Sequence, residues 1–189
     1  MVMRIIGLAG KSGNGKDVVG KMMHDFWGYH PLPLSLQVKL DAVSKFGLTY
    51  DEIFVTKPPH ARRLLQEIGT ERGRMVYGVD MWISATFAFA QWMSDNWGIH
   101  KFVITDVRFQ NELNYLKEHD MPVFRVIADA TINDTFGLKG DAARHSSETD
   151  LDHIPVTMYD GIIYNQYNRY DNLQDQLENI LSTLAWKQS

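Results

Sequence analysis

The feature that most constrains this chain is a glycine-rich loop ending in lysine, which lies between an apolar run and an amphipathic stretch. Residues 4–9 are mostly apolar, as in a buried strand of a parallel sheet. Residues 10–17 read Gly-Lys-Ser-Gly-Asn-Gly-Lys-Asp. Beyond them, apolar side chains recur at helical spacing as far as Trp27, and Gly28 ends the predicted helix. The chain therefore opens with a strand, a glycine loop and a helix.

This loop matches the spacing G-x-x-x-x-G-K of phosphate-binding loops through Gly10, Gly15 and Lys16. Glycines let successive backbone N–H groups turn towards phosphate oxygens, and the helix N-terminus adds positive partial charge. Lys16 is expected to reach the β- and γ-phosphates of a nucleotide. The alternative, a glycine-rich surface turn, is disfavoured by the strand before the loop and the helix after it. The predicted nucleotide-binding residues are Gly10, Lys11, Ser12, Gly13, Asn14, Gly15, Lys16 and Asp17.

Asp17 stands where such loops usually carry a Ser or Thr whose hydroxyl ligates magnesium. A carboxylate there could ligate Mg²⁺ directly or through water. It could also simply favour the start of the helix, where negative charge is stabilising. Both interpretations stay open at this point.

The rest of the chain alternates strands with helices, which favours right-handed crossovers and a parallel sheet. The predicted strands after the first cover residues 29–34, 101–105, 123–128 and 162–164, and the predicted helices cover 38–46, 60–75, 80–97, 110–119 and 173–184. The helix over 80–97 is apolar nearly all round, so we expect it to be buried between layers. Residues 129–149 are polar and are predicted to form a small mobile lid. We predict an α/β three-layer sandwich with a mostly parallel five-stranded sheet, in a single domain over 1–189.

Composition excludes several classes of function. Lys and Arg number 19 against 23 Asp and Glu, a net charge of −4, so a duplex nucleic acid is not an expected partner. The absence of cysteine excludes thiolate zinc sites and cysteine nucleophiles, and it fits a reducing cytoplasm. The longest apolar stretch, near 81–93, is interrupted by polar residues, so no membrane association is expected.

A second cluster of charged residues follows the predicted strand over 101–105. Asp106 and Arg108 stand where open α/β sheets bind ligands, at the carboxyl end of a strand. A carboxylate there can hold Mg²⁺ through water, and an Arg can neutralise a phosphate in transfer. Asp106 could instead cap the helix that begins near Gln110.

With these blocks the sequence resembles the phage deoxynucleoside monophosphate kinases, P-loop enzymes that transfer the γ-phosphate of ATP to a dNMP. The matching blocks are residues 10–17, 63–71 with Arg74 and 80–82, 105–112, and 145–148, in the family's order. The Gly-Lys-Asp ending of the loop is that family's own variant. The resemblance implies ATP as donor, Mg²⁺ as cofactor, a small dNMP as acceptor and the cytoplasm, that of the host for a phage protein, as location. It also allows a homodimer.

The resemblance assigns an acceptor-binding role to the helical region over residues 36–98. A dianionic acceptor phosphate needs arginines, which are concentrated in this region. Arg63 and Arg74 are expected to bind the phosphate and Gln66 a base edge. Asp80 and Trp82 are expected to shape the base or sugar pocket, although Trp82 also reads as ordinary core.

In the predicted lid, Arg144 is expected to join Lys16 and Arg108 in stabilising the transferring phosphoryl group. The block His145-Ser146-Ser147-Glu148 matches the family but also reads as a helix cap. Asn165 is expected near the adenine. An acceptor phosphate is already ionised at neutral pH, so no general base is predicted.

Two other functions stay open at this stage. Animal phosphomevalonate kinase is similar in its Gly-Lys-Asp loop and in its block order. A nucleotide-dependent switch, in which the phosphate loop controls a binding partner, needs no second anion site, so the arginines over residues 62–74 argue against it.

Overall fold

A five-stranded parallel sheet forms the centre of the molecule. The computed structural model describes residues 2–137 and 139–184. Its strands are β1 (Arg4–Ala9), β2 (His30–Pro31), β3 (Lys101–Val107), β4 (Val123–Ala128) and β5 (Gly161–Asn165). They lie in the order β2-β3-β1-β4-β5, and every neighbouring pair is parallel. The predicted α/β class and five-stranded parallel sheet are confirmed. The predicted strand over 29–34 is reduced to two edge residues, as its prolines require.

The helices cover both faces of this sheet. They are α1 (Lys16–Trp27), α2 (Leu36–Phe46), α3 (Pro59–Glu67), α4 (Met75–Tyr77), α5 (Met81–Trp97), α6 (Gln110–Glu118), α7 (Ala130–Phe136), α8 (Asp141–Arg144), α9 (Ser146–Thr149) and α10 (Tyr170–Thr183). Two π-helical segments, Asp51–Val55 and Ile68–Arg74, flank α3, and a short 3₁₀ turn covers Val156–Met158. The predicted helix over 60–75 is therefore not a regular α-helix, because its turns widen after Glu67. The predicted lid over 129–149 contains α7, α8 and α9.

Alternate residues of the strands pack in two separate cores, one on each face of the sheet, which makes the architecture three-layered. Phe102 and Ile104 of β3 pack on one face with Leu113 of α6. Val103 points to the other face and packs in a core shared with α1 and α10. A third, smaller core joins α2, α3 and the start of α5 around Trp82. It supports the helical region over residues 36–98 beside the sheet.

The prediction that the helix over 80–97 is buried all round is wrong. One face of α5 packs on the sheet through Ile83 and Ala90, but Phe89, Trp92 and Trp97 are 40–60% exposed. The helix lies in an outer layer, so only one of its faces has a partner. The exposed rings contact one another instead, with 4.7 Å between the ring centroids of Trp92 and Trp97.

The edge of the sheet where all five strands end carries the functional loops. The phosphate loop follows β1, Arg108 follows β3, and residues 165–170 follow β5. Parallel pairing brings these loops together, because all the strands run the same way. Within the described residues, no helix is both long and apolar enough to cross a membrane.

Helix α1 lies unusually close to β3, and Gly20 permits the approach. A β-carbon at Gly20 would overlap the Cγ2 methyl of Thr105. Both residues are buried. Since α1 begins at the phosphate loop, this contact sets the distance between the loop and the end of β3.

The Gly20→Ala variant is expected to be about 1 kcal/mol less stable than the wild-type protein. Overpacking costs about 1–3 kcal/mol and outweighs the gain of about 1 kcal/mol from alanine in a helix. Thr105→Ser removes the obstructing methyl, so Gly20→Ala in that background should be neutral or stabilising. Urea unfolding of the four proteins measures the difference. An equal loss in both backgrounds would contradict the close contact.

Candidate active site

A cavity of about 670 Å³ lies over the carboxyl edge of the sheet. One end is formed by the phosphate loop and residues 165–170, and the other by α2, α3 and the following π-helical segment. Its cationic lining residues are Lys16, Lys39, Lys57, Arg62, Arg74 and Arg108. Its acidic lining residues are Asp17, Asp106, Glu112 and Glu148. Cations thus outnumber carboxylates in the cavity, although the chain as a whole is acidic.

The phosphate loop is held rigidly around its lysine. Lys16 Nζ donates hydrogen bonds to the carbonyl oxygens of Gly10, at 2.6 Å, and Lys11, at 2.7 Å. Burial, followed by the nearby Arg108 guanidinium, lowers the pKa of Lys16 to about 8. The side-chain amide of Asn14 ties the loop to β4 by donating to the Val126 carbonyl at 2.9 Å. These bonds present the inner surface of the loop to the cavity.

Asn165 ties the end of β5 to the same loop. Its buried amide donates to the Asn14 carbonyl at 3.0 Å, and the residue lines the cavity. Gly15 passes directly beside this amide with a φ of 85°, so any side chain at that position would strike Asn165. This close approach, together with the positive φ, explains why the motif requires glycine there.

The two predicted metal ligands both face the cavity. Asp106 accepts the backbone N–H groups of Leu34 at 2.7 Å and Ser35 at 3.0 Å, which fixes its carboxylate at the end of β3. Asp17 lies in the first turn of α1 and is exposed. Mg²⁺ binds through one or two carboxylates together with waters and phosphate oxygens, so this pair fits that ion. Among the described residues there is no cluster of three acidic or histidine side chains that would hold a metal alone.

On α3, the arginine that lines the cavity is Arg62, whereas the sequence led us to expect Arg63. Arg62 lines the cavity and donates through Nε to the Lys57 carbonyl at 2.8 Å, whereas Arg63 is exposed and outside the lining. Gln66 lines the cavity, one helical turn after Arg62. Helical periodicity explains the placement, because residues four apart share a face.

Trp82 belongs both to the core and to the cavity wall. It is 3% exposed, and its indole N–H donates to the Gly69 carbonyl at 2.9 Å. Both interpretations left open by the sequence are therefore compatible with its position.

Arg74 lines the cavity but is bound on several sides. Its Nη1 donates to the Gly69 carbonyl at 3.0 Å, its Nη2 pairs with Glu112, and its guanidinium carbon lies 3.8 Å from the centroid of the Phe109 ring. Its buried Nε has no hydrogen-bond partner among the described residues. Arg74 thus forms a fixed, flat part of the wall.

Glu112, at the start of α6, is the buried carboxyl group that pairs with Arg74. It also accepts the backbone N–H groups of Arg108 at 2.8 Å and Phe109 at 3.1 Å. Burial raises the pKa of Glu112 to about 7, while the Arg74 guanidinium acts in the opposite direction. The carboxylate orders the loop that carries Arg108.

The backbone N–H of Arg108 donates to Glu112, and its guanidinium is bound by Glu148 of α9. Glu148 accepts hydrogen bonds from Arg108 Nη1 and, at 2.7 Å, from the backbone N–H of Ser12 in the phosphate loop. The Arg108 side chain is 29% exposed, so part of the guanidinium faces the open cavity.

Other predicted site residues lie outside the cavity lining. Asp80 is exposed and accepts the Asn111 amide at 2.9 Å. Arg144 is exposed at the end of α8. Gly10 and Lys11 face a small pocket behind the loop. The roles assigned to these residues from the sequence stay predictions.

Sequence reasoning did not identify Lys39 and Lys57 as cavity residues or give Glu112 and Glu148 a role. Lys39 lies on α2 beside Asp106, and burial lowers its pKa while Asp106 acts in the opposite direction. A lysine on an amphipathic helix gives no local signal of this kind. Glu112 and Glu148 do belong to the family-like blocks, so their positions, though not their burial, were accessible from the sequence.

Comparison with solved structures identifies proteins of similar fold. A Thermus thermophilus protein, TT1252, aligns with a TM-score of 0.54 at 16% identity, over 98% of this chain and 100% of that chain. A Janibacter sugar kinase aligns with a TM-score of 0.53 at 13% identity, over 95% of each chain. A shikimate kinase from Acinetobacter baumannii in complex with shikimate gives 0.50 at 16%, over 97% and 96%. At these identities the likeness concerns the fold, and it agrees with the predicted α/β class. No protein-family model matches the sequence, and no curated protein shows significant similarity to it.

The raised pKa of Glu112 predicts how stability changes with pH. Its carboxyl holds a proton up to pH about 7 in the folded protein, against 4.5 for an ordinary carboxyl. The contribution of protonated Glu112 to the free energy of unfolding is therefore fully present below pH 4.5. It falls by about 1 kcal/mol per pH unit between pH 4.5 and pH 7, and it is lost once the pH has risen through 7. Glu112→Gln cannot titrate and should lack this change. Urea unfolding from pH 5 to pH 8 measures it, and parallel curves for the two proteins would contradict the assignment.

Proposed function

We propose that the protein is a deoxynucleoside monophosphate kinase that transfers the γ-phosphate of ATP to a dNMP, giving ADP and a dNDP. One observation carries the proposal: a continuous cavity extends from the phosphate loop to a second group of cations. That group comprises Lys39, Lys57, Arg62 and Arg74. A nucleotide switch needs one anion site, whereas a kinase acting on a phosphorylated acceptor needs two facing each other.

Three of the four carboxylates that line the cavity are held by hydrogen bonds or ion pairs. Asp106 accepts two backbone N–H groups, Glu112 is bound by Arg74, and Glu148 is bound by Arg108. Asp17 adjoins Lys16 at the donor end. A hydroxyl acceptor needs a carboxylate able to take its proton, while a phosphate oxygen needs none. Because burial raises the pKa of Glu112 to about 7, that carboxyl is able to take a proton, so it is the concentration of cations in the cavity that favours a phosphate as the attacking group.

The walls between the two cation groups suit a nucleobase. Leu65 and Phe109 provide apolar surface and are backed by the buried Val38 and Trp82, while Gln66 provides an amide able to donate and accept hydrogen bonds. Flat apolar surfaces with a few polar groups are typical of sites for small planar ligands. A small branched acid, as in phosphomevalonate kinase, would leave this surface unused.

In the proposed reaction the protein acts by alignment and charge. The phosphate loop and Lys16 bind the β- and γ-phosphates, and Arg62 with Arg74 holds the acceptor phosphate in line. Arg108, at the end of β3 between the two groups, neutralises the phosphoryl group as it moves. Asp17 and Asp106 would hold Mg²⁺, which would supply positive charge to offset that of the phosphates. Asn165 and the residues after it would face the adenine.

The proposal is tested by supplying possible acceptors one at a time. The protein is incubated with ATP, Mg²⁺ and each of dTMP, dGMP, dCMP, dAMP, mevalonate phosphate and shikimate, and ADP and phosphorylated product are measured. We expect ADP formation that depends on a dNMP. If mevalonate phosphate or shikimate accepts the phosphate and no dNMP does, the protein is another small-molecule kinase. Slow ADP formation indifferent to acceptor would indicate a switch.

Lys16→Ala is expected to reduce transfer at least 100-fold without unfolding the protein, because the amine neutralises the donor phosphates directly. Lys21→Ala is the matched control, since Lys21 lies on the same helix, is exposed and pairs with Asp25. Initial rates and melting temperatures of both variants provide the comparison. Full activity in Lys16→Ala would refute its assigned role.

Arg62 and Arg63 offer a matched pair of adjacent arginines on one helix. Arg62→Ala should raise the KM for the acceptor about tenfold or more while leaving the KM for ATP unchanged, because a charge-assisted hydrogen bond is worth about 1.5–3 kcal/mol. Arg63→Ala should have little effect, because Arg63 is exposed and does not line the cavity. Steady-state kinetics, with the acceptor and ATP varied in turn, gives the two KM values for each variant. The opposite pattern would restore the assignment of Arg63 made from the sequence.

A further inference from the structure

Glu148 is a buried carboxylate that contacts two parts of the site at once. Its side chain is 4% exposed. One oxygen accepts from the Arg108 guanidinium and the other from the backbone N–H of Ser12 at 2.7 Å. Burying a charge is costly unless it is paired and hydrogen-bonded, and Glu148 is both. The carboxylate therefore links the loop after β1 to the loop after β3.

The segment around Glu148 is itself attached to the same two loops. Asp150 accepts the backbone N–H of Gln110, at the start of α6, at 2.7 Å. Asp152 pairs with Lys11 of the phosphate loop at 2.8 Å. Glu148 thus belongs to a segment that contacts both loops, although the Lys11–Asp152 pair is exposed and adds little to the stability of the segment.

The charges around Glu148 show why a carboxylate is needed there. Lys16 and Arg108 are both cationic and both line the same cavity, so they repel each other. A carboxylate beside Arg108 offsets this repulsion. Because, within residues 2–137 and 139–184, the Arg108 side chain donates to Glu148 through Nη1 only, its other N–H groups remain for a phosphate.

We propose that Glu148 is a positioning residue, which holds the Arg108 guanidinium beside the phosphate loop so that it meets the phosphoryl group in transfer. This inference rests on the proposed kinase function. Glu148 does not itself touch the substrates in this arrangement; it acts through Arg108. Its loss should therefore slow the chemical step more than it weakens the binding of either nucleotide.

The kinetic test uses Glu148→Gln, which keeps the shape and an acceptor oxygen but removes the charge. We expect kcat to fall about 10- to 100-fold, the cost of a misplaced catalytic group, with both KM values changed less than threefold. Glu148→Asp should recover part of the rate because it restores the charge. Asp152→Asn is the matched control: it lies in the same segment and its ion pair is exposed, so its kcat should stay within twofold of wild type.

A double-mutant cycle separates positioning from general structural support. In an Arg108→Ala background, Glu148→Gln should have no further effect on kcat, because the residue that it positions is gone. The same fold-loss in both backgrounds would overturn the proposal, as would an unchanged kcat in Glu148→Gln. Melting temperatures of all variants identify any that fail to fold. If Glu148→Gln is one of them, Glu148→Asp takes its place in the cycle.

A spectroscopic measurement keeps this inference separate from the proposed function. A guanidinium held by a carboxylate rotates slowly, so the wild-type protein should show two resolved ¹⁵Nη signals for Arg108, assigned by their absence in Arg108→Lys. These signals should merge in Glu148→Gln and persist in Asp152→Asn. If no dNMP accepts phosphate, the kinase assignment fails while this link can still be verified. Unchanged signals in Glu148→Gln would overturn the link whatever the acceptor.

Discussion

The arrangement of this protein depends on the pairing of buried carboxylates with cations where the strands of its parallel sheet end. Glu112 binds Arg74 and Glu148 binds Arg108, and each carboxylate also accepts a backbone N–H from a neighbouring loop. Isolated charges of one sign would repel each other in so small a cavity. Pairing Arg74 and Arg108 with carboxylates lets both guanidiniums lie in one cavity with Lys16, Lys39, Lys57 and Arg62.

The sheet makes this concentration of charge possible. All its strands are parallel, so every loop with a functional residue emerges at the same edge. The close contact of Gly20 with Thr105 then fixes the first helix, and with it the phosphate loop, against the end of β3. The smaller core around Trp82 holds the opposite wall. The phosphate loop and the helical region over residues 36–98 thus line one cavity, an arrangement that suits the proposed transfer between two anions.

Local patterns predicted the sheet and the phosphate loop because each depends on residues close together in the chain. The apolar run, the glycine spacing and the following amphipathic helix are all visible within 30 residues. The prediction for α5 failed because an apolar helix is buried only where neighbours exist on all sides, and Phe89 and Trp92 have them on one side only. The resemblance singled out Arg63, whereas the cavity is lined by its neighbour Arg62, because the face that a helix turns to a cavity is set by its packing and not by a motif; the role of Arg63 stays a prediction.

By itself, the sequence determined the α/β class, the phosphate loop and the charged residues after β3, since strand and helix periodicity and glycine spacing are local properties. The tertiary structure decided which cations converge. Lys39 and Arg62 come from separate helices, and Glu148 lies 136 residues beyond its partner Ser12. Such partnerships follow from the order of strands in the sheet and the packing of helices on it, which bring distant segments within hydrogen-bonding distance.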